Sequence, residues 1–571
     1  MHKSFFFASY RKSPPTVLSI AFHSSFFSDS DDSDEDYKEK GEKGRNRRAS
    51  DQIITRLNPD PLFLEREANY RKECFSLDIL PWVEGLSART SLQAENIEYL
   101  PVGINSAKFQ FGDDAEPRSL QRFESLNEPD GKSVLFTGGP VWAMAWAPQP
   151  AVSKTQYLAV STHASFAETR ISEKTSSRGL IQLWSIEHEE NQDISKCPKF
   201  MLGICHSYGK IWDLEWCPSG AWKESVSVGC LAAASSDGIV RLMRIECPKS
   251  DRKFVKHEPA KCLIPSVASQ GQCLSLTWYR GPGHRFLAAC FSSGLAAVWE
   301  LGASSSLLTT SQGTLPVSSW MAHQSSATSI SFSASETTQP RFIVTGGTDR
   351  TFRFWDLRDT CVPIQEVKRG MVTSISWLPG HTTAAVCHDD VFLQAHTQTL
   401  VSESGFNNTA TQPIIGQNSC AWDQSVSGWL GGVAVCTAAG ELVVHVLPDS
   451  NKTVDQNKAS LRRRAYVYLT NRVASKSGSL TDKGHLKYID LWDKDNPTDA
   501  EKVKMANVRY SELMEVEDLS DQPTCSVNRV DWNPNLGSHF LLASGSQTGL
   551  VRVHTLASLN TEAVKAGLRT T

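Results

Sequence analysis

No two of the 14 cysteines stand in Cys-x-x-Cys spacing in this chain of 571 residues, and no other metal-ligand spacing occurs, which excludes a zinc ribbon and a dithiol redox centre. Cysteines that fall inside apolar runs, Cys230, Cys290, Cys387 and Cys436, read as small buried hydrophobes of a reducing compartment. Long hydrophobic runs are missing too: Val17 to Phe22 is too short to span a bilayer and no other segment does better, so no membrane role is expected. Charge of one sign is scarce, with 58 Lys and Arg against 62 Asp and Glu for a net charge of −4. That balance gives no footprint for freestanding nucleic-acid binding. A phosphate loop is absent, because "GKS" at Gly131 to Ser133 has Leu126 where the first glycine would stand and precedes a strand.

What the chain has instead is an internal repeat. Seven times a short β-prone run meets a tight turn, and five positions after the turn residue lies the centre of a second run. The turn residues are Gly179, Gly238, Gly294, Arg350, Asp390, Gly440 and Gly549; five further on stand Trp184, Met243, Trp299, Trp355, Ala395, His445 and His554. Upstream of each turn, period-two patterning centres an inner strand on Trp146, Trp216, Trp278, Phe332, Trp377, Trp422 and Trp532. No such unit buries both faces alone, so the units must stack around a ring.

One unit carries the full pattern: "FIVTGGTDRTFRFWDLRD" from Phe342 to Asp359, preceded by His323. Here the chain resembles the WD-repeat family. The resemblance implies an all-β, seven-bladed WD-repeat β-propeller in which His323, Thr345, Asp349 and Trp355 form a hydrogen-bonded structural tetrad. A hydroxyl, a His and an Asp in contact also have the composition of a nucleophilic triad, but a triad is defined by geometry and an exposed oxyanion site. A buried set satisfied internally is the expectation. With no converging titratable groups elsewhere, no catalytic residue, cofactor, metal or small-molecule substrate is expected.

The run Ser133 to Thr137 would be the outermost strand of the last blade, clasping the termini together and removing a free edge. The propeller then covers 132–558, followed by a tail at 559–571. Residues 1–131 are expected to be mostly disordered. They contain the acidic run "SDSDDSDEDY" from Ser28 and a basic run, Lys38 to Arg48, in which "KGRNRR" from Lys43 to Arg48 could serve nuclear import. An insertion at 448–524 carries Arg462, Arg463 and Arg464, and an aromatic segment from Tyr488 to Trp492. These residues are candidates for docking a partner, since long loops in compact domains are usually functional or disordered.

Several stretches go beyond the generic repeat: "VLFTGGPVWAMAWAP" from Val134, "GKIWDLEWCPSGAW" from Gly209, "GQCLSLTW" from Gly271, "SGWLGGVAV" from Ser427 and "SGSQTGLVRVH" from Ser544. They resemble the WD-repeat beta subunits of general transcription factor IIIC. That resemblance implies a nuclear, non-enzymatic scaffold whose partners are other subunits of the factor, especially the large DNA-binding subunit. Promoter DNA of transfer-RNA and related small-RNA genes would be reached indirectly through the complex. The alternative is a substrate receptor of a cullin-RING ubiquitin ligase, because "WDLR" at Trp355 to Arg358 is similar to the motif by which such receptors dock, with Arg358 as the contact.

Overall fold

Seven short strands, Val141–Trp146, Ile211–Trp216, Cys273–Trp278, Ala327–Phe332, Val372–Trp377, Ala421–Val426 and Val527–Trp532, each begin an antiparallel meander. They are the innermost strands of the seven sheets formed by the described residues, numbered here in chain order. In this computed structural model the described residues are 61–75 and most of 89–556, and the larger stretches outside them are 76–88, 164–175, 390–397, 403–410, 447–463, 474–483 and 493–523. Each innermost strand packs beside that of the next sheet, and Val527–Trp532 packs beside Val141–Trp146.

The second strands explain the apolar runs of the sequence. Ser227–Ser235 is buried at every position, as is Gly432–Thr437, because sheets stack on both of its faces and strict alternation is then lost. Cys230, Cys290, Cys387 and Cys436 are buried and free. The turn that follows needs a left-handed residue: Gly238, Gly294, Gly440 and Gly549 have φ of 81°, 91°, 80° and 82°, and Arg350 takes the same region at 64°. Gly179 differs, being the first residue of the third strand Gly179–Glu187. Asp390 and Ala395 lie outside the described residues.

All seven innermost strands carry a register shift at their second residue, which is Trp142, Trp212, Leu274, Thr328, Thr373, Trp422 or Asn528. A bulge of this kind leaves one residue unpaired and re-aims its side chain. The structure corrects the inner-strand centres. Trp146, Trp216, Trp278, Phe332, Trp377 and Trp532 end their strands, whereas Trp422 sits at the bulge and Val426 ends the sixth. Period-two patterning locates an aromatic on a strand but cannot see a one-residue shift in register.

Ser133–Phe136 pairs antiparallel with Leu550–Thr555, joining an early strand to the last one. The clasp extends further than expected, because Ser125–Asn127 adds a strand outside Ser133–Phe136. Residues between 61 and 131 also supply the helix α1 (Pro61–Cys74) and strand Phe109–Phe111, with Leu64, Phe109, Leu120 and Phe123 buried. For these residues the expectation of disorder is corrected: scattered apolar side chains without periodicity gave no signal, yet the sheets offer them a surface. The acidic and basic runs lie outside the described residues.

Candidate functional site

The repeat is tied together from the channel side. An innermost strand has no partner strand on its inner edge, so its N–H groups need acceptors. Side chains of the preceding sheet supply them: Asp213 Oδ2 accepts from Leu276 N at 2.9 Å, Ser329 Oγ from Ile375 N at 2.9 Å, Asp423 Oδ2 from Val530 N at 3.2 Å and Asp531 Oδ2 from Trp146 N at 2.8 Å. The strand-ending tryptophans reply: Trp146 Nε1 donates to Asp531 O, Trp216 Nε1 to Ala145 O and Trp278 Nε1 to Glu215 O. These bonds give the Trp positions of the sequence a physical reason. They also line a channel of about 390 Å³ whose wall includes Asp213, Glu215, Asp423, Arg529 and Asp531.

Burial pushes Asp213 up to about 6 and Asp531 up to about 7, against the pull of Arg529 on Asp213 and of the Trp146 amide on Asp531. Arg529 holds the wall at one end, with Nε donating to Trp142 O at 2.6 Å and Nη2 to Trp212 O at 2.7 Å, and Nη1 lying 3.6 Å from Asp423 Oδ1. Among the described residues no group of three or more His, Cys, Asp or Glu is arranged to hold a metal ion.

In the fourth sheet the structure brings together the four residues singled out by the repeat. His323 Nδ1 lies 3.0 Å from Asp349 Oδ1, His323 Nε2 lies 2.9 Å from Thr345 Oγ1, and Trp355 Nε1 donates to Thr345 Oγ1 at 2.9 Å. The carboxylate takes the Nδ1 proton's bond, which leaves Nε2 to accept the Thr345 hydroxyl. Burial would raise the Asp349 carboxyl, but bonds from His323, Thr351 and Gln324 N hold it well below the usual carboxylate range. Thr345 and His323 are buried, so no hydroxyl is presented to a substrate. The second sheet shows what replaces the set, with Asp237 ion-paired to Arg241 at 2.6 Å.

The docking candidates fare differently. Tyr488 and Trp492 are 2% and 8% exposed, which overturns their expected role as a docking element. His485–Asp490 and Arg464–Val473 extend the sixth sheet, and Phe109–Phe111 pairs parallel to His485–Asp490 at its edge. Tyr488 stacks on Phe111 at 5.9 Å and lies 4.4 Å from the Arg552 guanidinium. Arg552, itself 1% exposed, donates to Glu128 Oε2 at 2.6 Å and Asp490 Oδ1 at 3.1 Å. One buried cation thereby joins the early segment, the insertion and the last strand. Arg464 pairs with His445 through the backbone, and Arg462 and Arg463 lie outside the described residues. Arg358 is exposed, with its guanidinium folded back on Asp356 at 2.5 Å.

Sequence reasoning missed Trp142, Trp212 and α1. The two indoles meet edge to face with ring centroids 6.2 Å apart, Trp422 approaches Trp142 at 5.8 Å, and His163 lies 4.8 Å from Trp212. Recurrence at the second position of inner strands was their only signal, and aligning the strand-ending tryptophans would have exposed it.

The family description "WD domain, G-beta repeat" matches residues 198–242 and 314–356. Each match runs from the outermost meander strand of one sheet to the third strand of the next, so the repeat in sequence is offset by one strand from the sheet in space. The chain is 27% identical over 540 residues to "General transcription factor 3C polypeptide 2" of Homo sapiens, covering 82% of this chain and 58% of that protein. The protein of the same name from Pongo abelii matches over the same shares. "Transcription factor tau subunit sfc6" of Schizosaccharomyces pombe is 27% identical over 478 residues, covering 82% of this chain and 72% of that one. The chain thus spans under two thirds of the length of its mammalian relatives. Strands, repeat and relatives agree: the chain carries WD repeats at 198–242 and 314–356, and 82% of it is similar to General transcription factor 3C polypeptide 2 and to transcription factor tau subunit sfc6.

Proposed function

We propose that this protein is a non-enzymatic scaffold subunit of an RNA polymerase III general transcription factor of the IIIC type. The observation that carries this reading is its similarity, over 82% of the chain, to transcription factor subunits of mammals and of a fission yeast. The geometry supports a scaffold: Asp213, Ser329, Asp423 and Asp531 of the channel are spent on joining strands, and the hydroxyl and imidazole of the tetrad are buried. Acting in the nucleus, the chain would hold the large DNA-reading subunit in a productive arrangement on internal promoters and help recruit the initiation machinery. No observation favours the ligase-receptor reading, since Arg358 is occupied by Asp356.

The test is a salt-series binding titration with intact and scrambled promoter boxes, using this chain, its partner subunit and both together. Phosphate contacts give affinity that falls steeply with salt, whereas sequence is read at base edges. The expected outcome is weak, box-independent binding by this chain alone and a loss of box-specific binding when it is withdrawn from the pair. Tight, box-specific binding by the isolated chain would overturn the scaffold.

A further inference from the structure

We infer that one end of the channel is a helix-binding groove selective for a helix with a carboxylate on its buried face, which the chain fills with its own α1 as a stopper. α1 buries a single stripe, Leu64, Glu67, Tyr70 and Cys74, spaced as one face of a helix is spaced. Leu64 joins the apolar cluster of Trp429 and Leu430, just past the innermost strand of the sixth sheet. A Cβ on Gly428 would lie 3.2 Å from Glu67 Oε1, so helix and loop are in close contact there. The other end of the stripe meets the loop after the innermost strand of the third sheet. Arg280 stands 4.2 Å over the Tyr70 ring, and Cys74 Sγ lies 3.3 Å from His284 Nε2. The ten steps from Leu64 to Cys74 rise about 15 Å along a helix, so α1 crosses the channel mouth from sixth sheet to third. Tyr70 and Arg71 accordingly enter the channel lining.

The centre of the stripe is an acid. Glu67 is 3% exposed, pairs with Arg280 through Oε2 and accepts from Arg71 Nε at 3.0 Å. A carboxylate among buried residues is tolerated only opposite a matched cation, and a buried cation left alone is costly. The groove therefore asks for a carboxylate at this place, with an aliphatic residue three positions before it and an aromatic three after. The Cys74 and His284 pair is no nucleophile: burial raises the thiol and lowers the imidazole to about 4, so both are neutral.

The experiment uses the full chain, read by hydrogen exchange and by binding of a labelled peptide of residues 58–78. Glu67→Lys and Arg280→Glu should each raise amide exchange across 61–74 at least ten-fold, while protection of Cys273–Trp278 and the melting temperature hold. The peptide should bind the Glu67→Lys chain, whose groove is emptied but intact. It should bind the wild type at least ten-fold more weakly, because α1 occupies the site, and should not bind the Arg280→Glu chain. Unchanged exchange at 61–74, loss of protection throughout the sheets together with α1, or equal peptide binding to all three chains would overturn the inference.

Discussion

The two ends of the channel are closed by different chemistry. At the end where the innermost strands begin, Trp142, at a bulge, meets Trp212 and Trp422 edge to face, and Arg529 bonds to the carbonyls of Trp142 and Trp212. At the end where those strands finish, a helix from outside the repeat lies across the opening, held by Glu67 and Arg280. The aromatic closure belongs to the strands themselves and cannot be withdrawn without breaking their pairing. The helical closure is an added segment, and its buried stripe of Leu64, Glu67, Tyr70 and Cys74 is short and partly polar. A repeat can thus seal one end by register alone, while the other end is available to an exchangeable part.

The comparison breaks most readily at the aromatic end. Trp212→Ala should cost about 3–5 kcal/mol, as for other buried tryptophans, and lower the global melting temperature without preferential release of α1. If only local exchange changed, the indoles would not be integral to the ring. Next in size is Asp349→Ala, which leaves His323 and Thr351 short of an acceptor at a cost of about 1–3 kcal/mol. It too should shift melting and leave exchange across α1 untouched.

Acidification separates the ends by sign. Asp213 and Asp531 are raised by burial to about 6 and about 7, so the folded chain takes up their protons before the unfolded chain does. Their contribution to stability therefore rises as pH falls from about 7 to about 4. Glu67 is the reverse: burial would raise it, but Arg280 and Arg71 lower it below its ordinary value, with Tyr70 and Cys74 as its other titratable neighbours. Its stabilisation of α1 is present above that ordinary value and is lost as pH falls through the folded one. Hydrogen exchange between pH 7 and pH 3, corrected for intrinsic rates, should show channel strands tightening before α1 loosens; simultaneous loosening would remove the distinction. The smallest effect belongs to Arg358→Ala, expected to change neither melting nor exchange, because the side chain is 68% exposed and paired with nearby Asp356.

Much of the architecture was legible because it is local. The turn at Gly238, Gly294, Gly440 and Gly549 requires a left-handed residue, and the run five positions on follows from strand geometry, so the repeat shows in one dimension. Ser133 to Thr137 was readable as a clasp because an extra strand before the first blade has few other places to go. Tyr488 and Trp492 were misread for the opposite reason. An aromatic pair in a long insertion looks the same in sequence whether it faces solvent or packs on Phe111 and Arg552, which are far from it along the chain.

By itself the sequence determined a repeat of short strands and the left-handed turns at Gly238, Gly294, Gly440 and Gly549, and its resemblance to the WD-repeat family implied which four residues meet in the fourth sheet. Those features follow from period-two burial, backbone handedness and hydrogen-bond needs that operate within one or two strands. Only the tertiary structure decided that the second residue of every innermost strand sits at a bulge, that Arg552 unites three distant segments, and that α1 lies across the opening. The physical reason is that burial of an isolated Leu64, Glu67 or Arg552 depends on which surface the completed ring presents to it, and no local pattern encodes that surface.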